Sequence, residues 1–354
     1  MIISRTPYRI SFFGGGTDYP AWYRRYGGAV LATTIDKYCY LTCRFLPPFF
    51  EHRIRVVYSK IENCERADEI THPAVREVLK FLKIERGIEI HHDGDLPARS
   101  GMGSSSAFTV GLLHALYALK GQMPTKHQLA MDSIFLEQEQ LRETVGSQDQ
   151  VSVAYGGFNH IAFSPDGEIA ITPITLGAER LGALDACLQL YFTGVHRTAS
   201  EVAAGYIAEA TDQTETLRAI STMVGDAMDV LRSGRDLDDF GRLLHEAWQL
   251  KRSLGARVSN AHVEAIYEAA RSAGALGGKL LGAGGGGFLV LYVPLAAQRA
   301  VRERLHGLLH VPFRFESSGS HIIFFDHETD YAGQDLPGAA PRRFRELRDI
   351  EGAL

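Results

Sequence analysis

Cysteine and tryptophan are scarce, with four and two residues among 354. Cys39, Cys43, Cys64 and Cys187 form no CxxC pair and show no metal-ligand rhythm, so they read as small buried or half-buried thiols of a reducing compartment. A surplus of positive charge is also missing. Lys plus Arg total 37 against 42 for Asp plus Glu, a formal net charge of −5. No sequence-wide basic field exists to hold nucleic acid, and an anionic ligand would need local cations. No apolar run is long enough to span a bilayer. The start, MIISRTPYRISFFGGG, lacks the apolar block and the small-residue cleavage site of a signal peptide. A soluble cytoplasmic protein is expected, with no nucleic acid and no membrane among its partners and with a homodimer left open.

The content that is present suits a large folded chain. Hydrophobic residues make up 45%, enough for a substantial core, and the length allows two domains. Short β-like runs are expected at Tyr8–Phe13, Ala29–Ile35, Tyr38–Phe45, Ile54–Tyr58 and Gly87–His91. Helical spacing marks His72–Leu82, the stretch from about Ser105 to Leu119, and Lys126–Glu143. Val151–Phe163, with Gly156-Gly157 at its centre, reads as a hairpin, and the turn-rich stretch 165–185 as a domain boundary. The second half is expected to hold the strand Cys187–Thr193, helices at roughly 199–232, 235–253 and 259–273, the strand Phe288–Val293, a helix near Leu295–Leu309, and His321–Phe325. The expected division is 1–180, 181–330 and a polar tail at 331–354. Mixed strands and long helices argue for a two-domain α+β protein.

Glycine, at 36 residues, is concentrated in three places. Residues 96–107, LPARSGMGSSSA, precede a helix. Glycines let backbone approach an anion, the serines offer hydroxyls, and the helix offers unpaired N–H groups. The loop lacks the GK[ST] of a Walker A motif and the third glycine of a Rossmann fingerprint. KLLGAGGGGFLV at 279–290 sets four glycines between apolar runs, which favours close approach to a ligand or another loop over a flexible connector. In RTPYRISFFGGGTDYP at 5–20, Arg9 and Asp18 flank Gly14-Gly15-Gly16.

In this order and at these separations, Thr6–Asp18, Pro97–Ala107 and Lys279–Phe288 resemble the three motifs of the GHMP kinases, named for galactokinase, homoserine kinase, mevalonate kinase and phosphomevalonate kinase. The resemblance covers roughly residues 4–326. It implies a ribosomal protein S5 domain 2-like N-terminal domain, a ferredoxin-like C-terminal domain, and transfer of phosphate from ATP, with Mg²⁺, to an alcohol. It assigns Pro97, Gly101, Gly103, Ser104, Ser105 and Ser106 to the ATP phosphates, and Ser105 (or Ser104) with Glu137 to Mg²⁺. Glu139 is an alternative to Glu137 that the sequence leaves open. Gly146–Gln150 is similar to the Gly-x-x-Asp-Gln pattern of galactokinases, which makes Asp149 the proton acceptor or hydroxyl-orienting group, with Arg9 beside it. Gly15, Gly16, Thr17 and Asp18 stand at the sugar-binding turn, where galactokinases carry Gly-Glu-His-Thr-Asp, so galactose is disfavoured. The GGGTDYP form resembles the branch acting on seven-carbon sugar phosphates and on fucose. A substrate phosphate points to Arg197, with Lys251, Arg252 and Arg257 as weaker candidates, and Gly284, Gly285, Gly286 and Gly287 form the third-motif loop. A silent sugar- and nucleotide-binding sensor is the alternative of a different class.

Overall fold

The computed structural model describes residues 1–47, 49, 50, 52–195 and 213–327. Two strands organise the first half. β1 (Ile2–Phe13) and β2 (Gly28–Phe45) run antiparallel, from Ile2 opposite Cys43 to Phe13 opposite Leu31. Two expected strands are thus one continuous strand of 18 residues. The charged pair Asp36-Lys37 does not break it, because the Asp36 amide donates to the Arg314 carbonyl at 3.0 Å where a late strand crosses. The register slips between Pro7 and Tyr8, as expected where proline removes a ladder donor.

The other edge of β2 is shared in series by β5 (Ile88–Gly94), a short β12 (Phe315–Glu316) and β6 (Phe158–Phe163). β3 (Ile54–Val57) joins β5 in parallel and β4 (Ile61–Cys64) pairs with β3. β7 (Ile169–Pro173) extends β6, and β13 (His321–Phe325) pairs with residues 2–5 of β1. Helices α2 (Pro73–Phe81), α3 (Ser104–Leu119), α4 (Lys126–Phe135) and α5 (Gln148–Tyr155) pack together beside β1 and β2, after a short α1 (Pro20–Tyr26). α3 is apolar on nearly every side, and Val110, Leu112, Leu113, Ala115 and Leu116 are fully buried. It is a core helix rather than a surface one.

A second, four-stranded antiparallel sheet has the order β11-β8-β10-β9, from Leu309–Val311, Leu188–Phe192, Phe288–Tyr292 and Gly277–Leu280. The second half also holds α6 (Ala178–Ala186), α7 (Thr214–Arg232), α8 (Asp238–Ser253), α9 (Ala261–Ser272) and α10 (Gln298–Arg304), with α7 packed on α8 and on β1 and β2 of the first sheet. α8 lies on β9 and β10. The halves meet where Phe12 and Phe13 set their rings edge-on against Phe240 of α8, at centroid distances of 5.4 and 5.1 Å. The fold is a mixed α/β architecture of two sheets.

Several local expectations change. The Val-Ser-Val-Ala-Tyr alternation at 151–155 is helical, and the chain turns into β6 only through Gly156 and Gly157, at φ 71° and 86°. Short apolar alternation does not separate strand from helix, and here packing of α5 on α3 and α4 decides. The segment 126–143 is not one helix, because α4 passes at Leu136 into a wider turn closed by the Leu141 amide on the Leu136 carbonyl at 2.8 Å. The stretch 165–185 holds β7 and α6, and Leu309 stands in a strand rather than at a helix end. Within 199–232, the described helix is Thr214–Arg232. β12 and β13 fall in the segment 181–330 yet belong to the first sheet.

Candidate active site

The serine loop is built to expose one helix end. Gly101 and Gly103 take φ of 79° and 72°, a left-handed backbone that disfavours other residues. A Cβ on Gly101 would stand 2.5 Å from the Leu281 carbonyl oxygen, and one on Gly103 would stand 3.0 Å from Arg9 Cγ. Beyond Arg5 one edge of β1 has no strand partner, and the Arg9 amide there donates to the Met102 carbonyl at 3.0 Å. Gly103 heads α3 without a side-chain cap, so the amides of the first turn are left for a ligand.

The three serines part company at this point. Ser104 Oγ accepts from the Arg99 amide at 3.1 Å and closes the loop. Ser105 is exposed at the helix mouth. Ser106 faces inward and donates to Glu137 Oε2 at 3.0 Å. Pro97 is exposed at the start of the loop.

Glu137 sits in the wide turn after α4, 1% exposed, and its Oε2 also accepts from Gln150 Nε2 at 2.5 Å. Its Oε1 is buried with no hydrogen-bond partner. Burial pushes the carboxyl up to about 8; the Thr109 hydroxyl opposes this most, the charge of Glu143 adds to it, and the bonds from Ser106 and Gln150 oppose it further. Glu139, two residues on, is exposed. The Glu137 carboxylate, beside the Ser106 hydroxyl, is a hard oxygen donor of the kind Mg²⁺ takes, with water and phosphate completing its shell. Among the described residues no group of three or more His, Cys, Asp or Glu could hold a metal.

Asp149 lies in the first turn of α5 and is gripped by Arg9, whose Nε and Nη2 donate to its two oxygens at 2.7 Å each. Arg9 Nη1 donates to the Gly101 carbonyl at 2.6 Å, which ties the pair to the serine loop. Arg9 is 3% exposed and Asp149 27%, so the pair is sheltered while the carboxylate stays reachable. Asp18 is buried and accepts from the Gly16 amide at 3.0 Å and the Gln148 amide at 3.3 Å. Its carboxyl is pushed up by burial and then by the charge of Asp149. Asp18 therefore holds the Gly16 turn and the head of α5 together. Thr17 is committed to the backbone, donating to the Gly14 and Ala29 carbonyls and accepting from the Ala29 amide. A Cβ on Gly16 would stand 3.2 Å from Leu217 Cδ2, and one on Gly15 3.8 Å from Gln148 Nε2 and Ser11 Oγ.

The third glycine loop seals the first. Gly282, Gly284, Gly285 and Gly287 all have positive φ, and a Cβ on Gly287 would stand 2.2 Å from the Ser100 carbonyl oxygen. The loop is clamped from its far side, where the Gly285 amide donates to Val258 at 2.9 Å and the Gly287 amide to Val195 at 2.7 Å. Two lysines stand behind it. Lys251 Nζ donates to the Leu280 and Gly282 carbonyls at 3.0 and 2.5 Å, and Lys279 Nζ to the Phe12 carbonyl at 2.9 Å. Burial, with Arg9 adding to it and Asp18 opposing, brings Lys251 down to about 7. Lys279 is held well below its ordinary value by burial and then by Lys251 and Arg9, again against Asp18. Lys251 was only a weak candidate by sequence and Lys279 only the first letter of a motif. Nothing in their spacing shows that the fold carries both toward Arg9. Arg197 lies outside the described residues.

A glycine- and serine-lined helix mouth joined through the Gly101 carbonyl to an Arg-held Asp suits the transfer of a phosphoryl group. The GHMP kinases N terminal domain model matches residues 70–157 and the GHMP kinases C terminal model residues 227–309. The chain belongs to the GHMP kinase family, and it is an ATP-dependent phosphotransferase acting on an alcohol group of a small molecule. It is 28% identical over 303 residues to the D-glycero-alpha-D-manno-heptose 7-phosphate kinase of Campylobacter jejuni, covering 82% of this chain and 89% of that protein. It is 24% identical over 328 residues to the bifunctional fucokinase/GDP-fucose pyrophosphorylase of Arabidopsis thaliana, covering 84% of this chain and 30% of that one. The crystal structure of a D-glycero-D-manno-heptose 1-phosphate kinase from Bacteroides thetaiotaomicron superposes with a TM-score of 0.76 at 23% identity, covering 92% of this chain and all of that one.

Proposed function

We propose that this kinase transfers the γ-phosphoryl group of ATP to the anomeric hydroxyl of a sugar phosphate, the acceptor being D-glycero-D-manno-heptose 7-phosphate and the product its 1,7-bisphosphate, an intermediate toward nucleotide-activated heptose. The observation that carries this reading is the convergence of a reachable carboxylate, Asp149, with two buried basic side chains, Arg9 and Lys279, and the half-buried Lys251. Arg9 and Lys251 bring positive charge beside Asp149 and Asp18, which suits the anionic ligands ATP and a phosphorylated acceptor. The relative in Campylobacter jejuni supports the choice of acceptor, and so do Gly15 and Gly16, which place no side chain where galactokinases read galactose.

Asp149 takes the hydrogen bond of the attacking hydroxyl and its proton as the bond to phosphorus forms. Arg9 keeps that carboxylate oriented, and through the Gly101 carbonyl it keeps it in register with the serine loop. The amides of Ser104–Ser106 and the Ser105 hydroxyl hold the ATP phosphates. Glu137 with Ser105 would hold Mg²⁺, which when bound neutralises charge on the phosphates. Ser106 and Gln150 fix the Glu137 carboxylate for that task.

The test is a panel of acceptors assayed for ATP consumption. Heptose 7-phosphate should be turned over far faster than galactose, fucose or mevalonate. Preferred turnover of fucose would favour the relationship to the Arabidopsis enzyme, and no turnover of any acceptor with tight nucleotide binding would point to a sensor. In the same assay Ser105→Ala should raise the Mg-ATP requirement by about tenfold, the scale of one charge-assisted hydrogen bond. Ser104→Ala should act through loop closure and affect both substrates. Full activity of both variants and of the double variant would remove the serines from the mechanism.

A further inference from the structure

The glycine loop at 282–287 has little of its own to hold its shape. Residues 284–287 carry no side chain, and glycine has more conformations to lose than any other residue. Yet the serine loop rests on it. The Phe288 amide donates to the Ser100 carbonyl at 3.3 Å, and Gly287 and Gly101 fit against Ser100 and Leu281 only because they lack a Cβ. Beyond Lys251 on the Gly282 carbonyl and the backbone bonds from Gly285 and Gly287, two side chains restrain the loop. Asn260, the residue before α9, uses both ends of its amide. Its Oδ1 caps the helix by accepting from the Val263 amide at 3.0 Å, and its Nδ2 donates to the Gly285 carbonyl at 3.0 Å. Thr193, which follows β8 and is buried, donates to the Gly287 carbonyl through its amide at 2.9 Å and its hydroxyl at 2.8 Å. The Thr193 carbonyl in turn accepts from Nε2 of His262, in the first turn of α9, at 2.9 Å.

We infer that Asn260 and Thr193 are positioning residues for the nucleotide, fixing the glycine loop so that the serine loop presents its amides and hydroxyls to ATP in one geometry. The inference rests on the assignment of the serine loop to the ATP phosphates. Each side chain acts through one carbonyl of the glycine loop, Asn260 through Gly285 and Thr193 through Gly287. The physical ground is preorganisation. A glycine loop left free would have to be ordered when ATP arrives, at the expense of affinity, whereas a loop already clamped meets the ligand in place. The two carbonyls lie at the end of the loop that meets Ser100, so loosening them shifts the phosphate side of the site and not the acceptor side.

The test uses Mg-ATP and whichever acceptor the wild-type enzyme turns over fastest. Asn260→Ser keeps a side-chain oxygen for the Val263 amide but has no amide to offer Gly285. Thr193→Val keeps the shape and the backbone bond to Gly287 but loses the hydroxyl. Each should raise KM for Mg-ATP by about fivefold, the scale of one hydrogen bond. KM for the acceptor should be unchanged, and kcat at saturating Mg-ATP close to wild type. Thr193→Ser, which retains the hydroxyl, should behave as wild type toward Mg-ATP. A lower melting temperature with KM for Mg-ATP unchanged in Asn260→Ser and Thr193→Val would make both residues merely structural and overturn the inference. So would a Thr193→Ser variant as impaired as Thr193→Val, because packing and not the hydroxyl would then be at work. Ser105→Ala and Ser104→Ala, run alongside, separate the two readings. If they raise KM for Mg-ATP while the positioning variants do not, only the inference falls. If the serine variants are silent as well, the assignment of the serine loop to ATP falls, and the inference with it.

Discussion

Asp149→Asn should lower kcat by roughly 10²–10⁴-fold, the usual range for general acid–base assistance, while nucleotide still binds. The amide is nearly isosteric but a far weaker proton acceptor. Both Asp149 oxygens also receive Arg9 at 2.7 Å, and an amide can offer that fork only one acceptor atom. Arg9, at 3% exposure, then loses half of its partner, so a lower melting temperature should accompany the loss of turnover. The two effects separate experimentally. At a temperature well below the variant's own transition, kcat should stay low with KM for ATP near the wild-type value. Near-normal kcat there would mean that Asp149 serves only to neutralise Arg9. The reciprocal Arg9→Met should damage both turnover and ATP use, because Arg9 alone joins Asp149 to the Gly101 carbonyl.

Lys251→Met should cost the phosphorylated acceptor about 10²-fold in kcat/KM, on the scale of hydrogen bonds to charged groups, and cost its dephosphorylated counterpart little. Burial, with Arg9, brings this lysine down to about 7, which makes the effect depend on pH. Below that value the ammonium is charged and attracts the acceptor phosphate; above it the charge is lost. From pH 7 to 9, where a phosphate monoester is already close to its dianion, KM for the phosphorylated acceptor should climb in the wild-type enzyme. It should stay flat in Lys251→Met and for the dephosphorylated sugar. A rise confined to ATP would assign Lys251 to the nucleotide phosphates, and no change in either would leave it as a brace for the Leu280 and Gly282 carbonyls.

Much of the chemistry was legible without coordinates. The three glycine clusters are local features of the chain, and composition marks a loop before a helix; Asp149 and Glu137 stood out only through the resemblance to the GHMP kinases. The main strands and most long helices were legible for the same reason, since their apolar spacing is local. The hairpin expected at 151–163 was not, because a five-residue alternation suits either a strand or a buried helix. Only contact with α3 and α4 chooses between them.

Other choices depended on what lies opposite in space. Whether Glu137 or Glu139 turns inward depends on the wide turn after Phe135 and on Ser106 and Gln150, which meet it from two other helices. The separate duties of Ser104, Ser105 and Ser106 follow from how α3 is docked on β1. Lys251 and Lys279 are ordinary cations in sequence, and they come together where the halves meet, Lys279 on the Phe12 carbonyl and the half-buried Lys251 on the Leu280 and Gly282 carbonyls. The sequence by itself therefore determined the family and the kind of chemistry, because the motifs that carry them are written in neighbouring positions. The tertiary structure decided which of them face one another and with what charge, because burial and cross-chain contact arise only when distant segments meet.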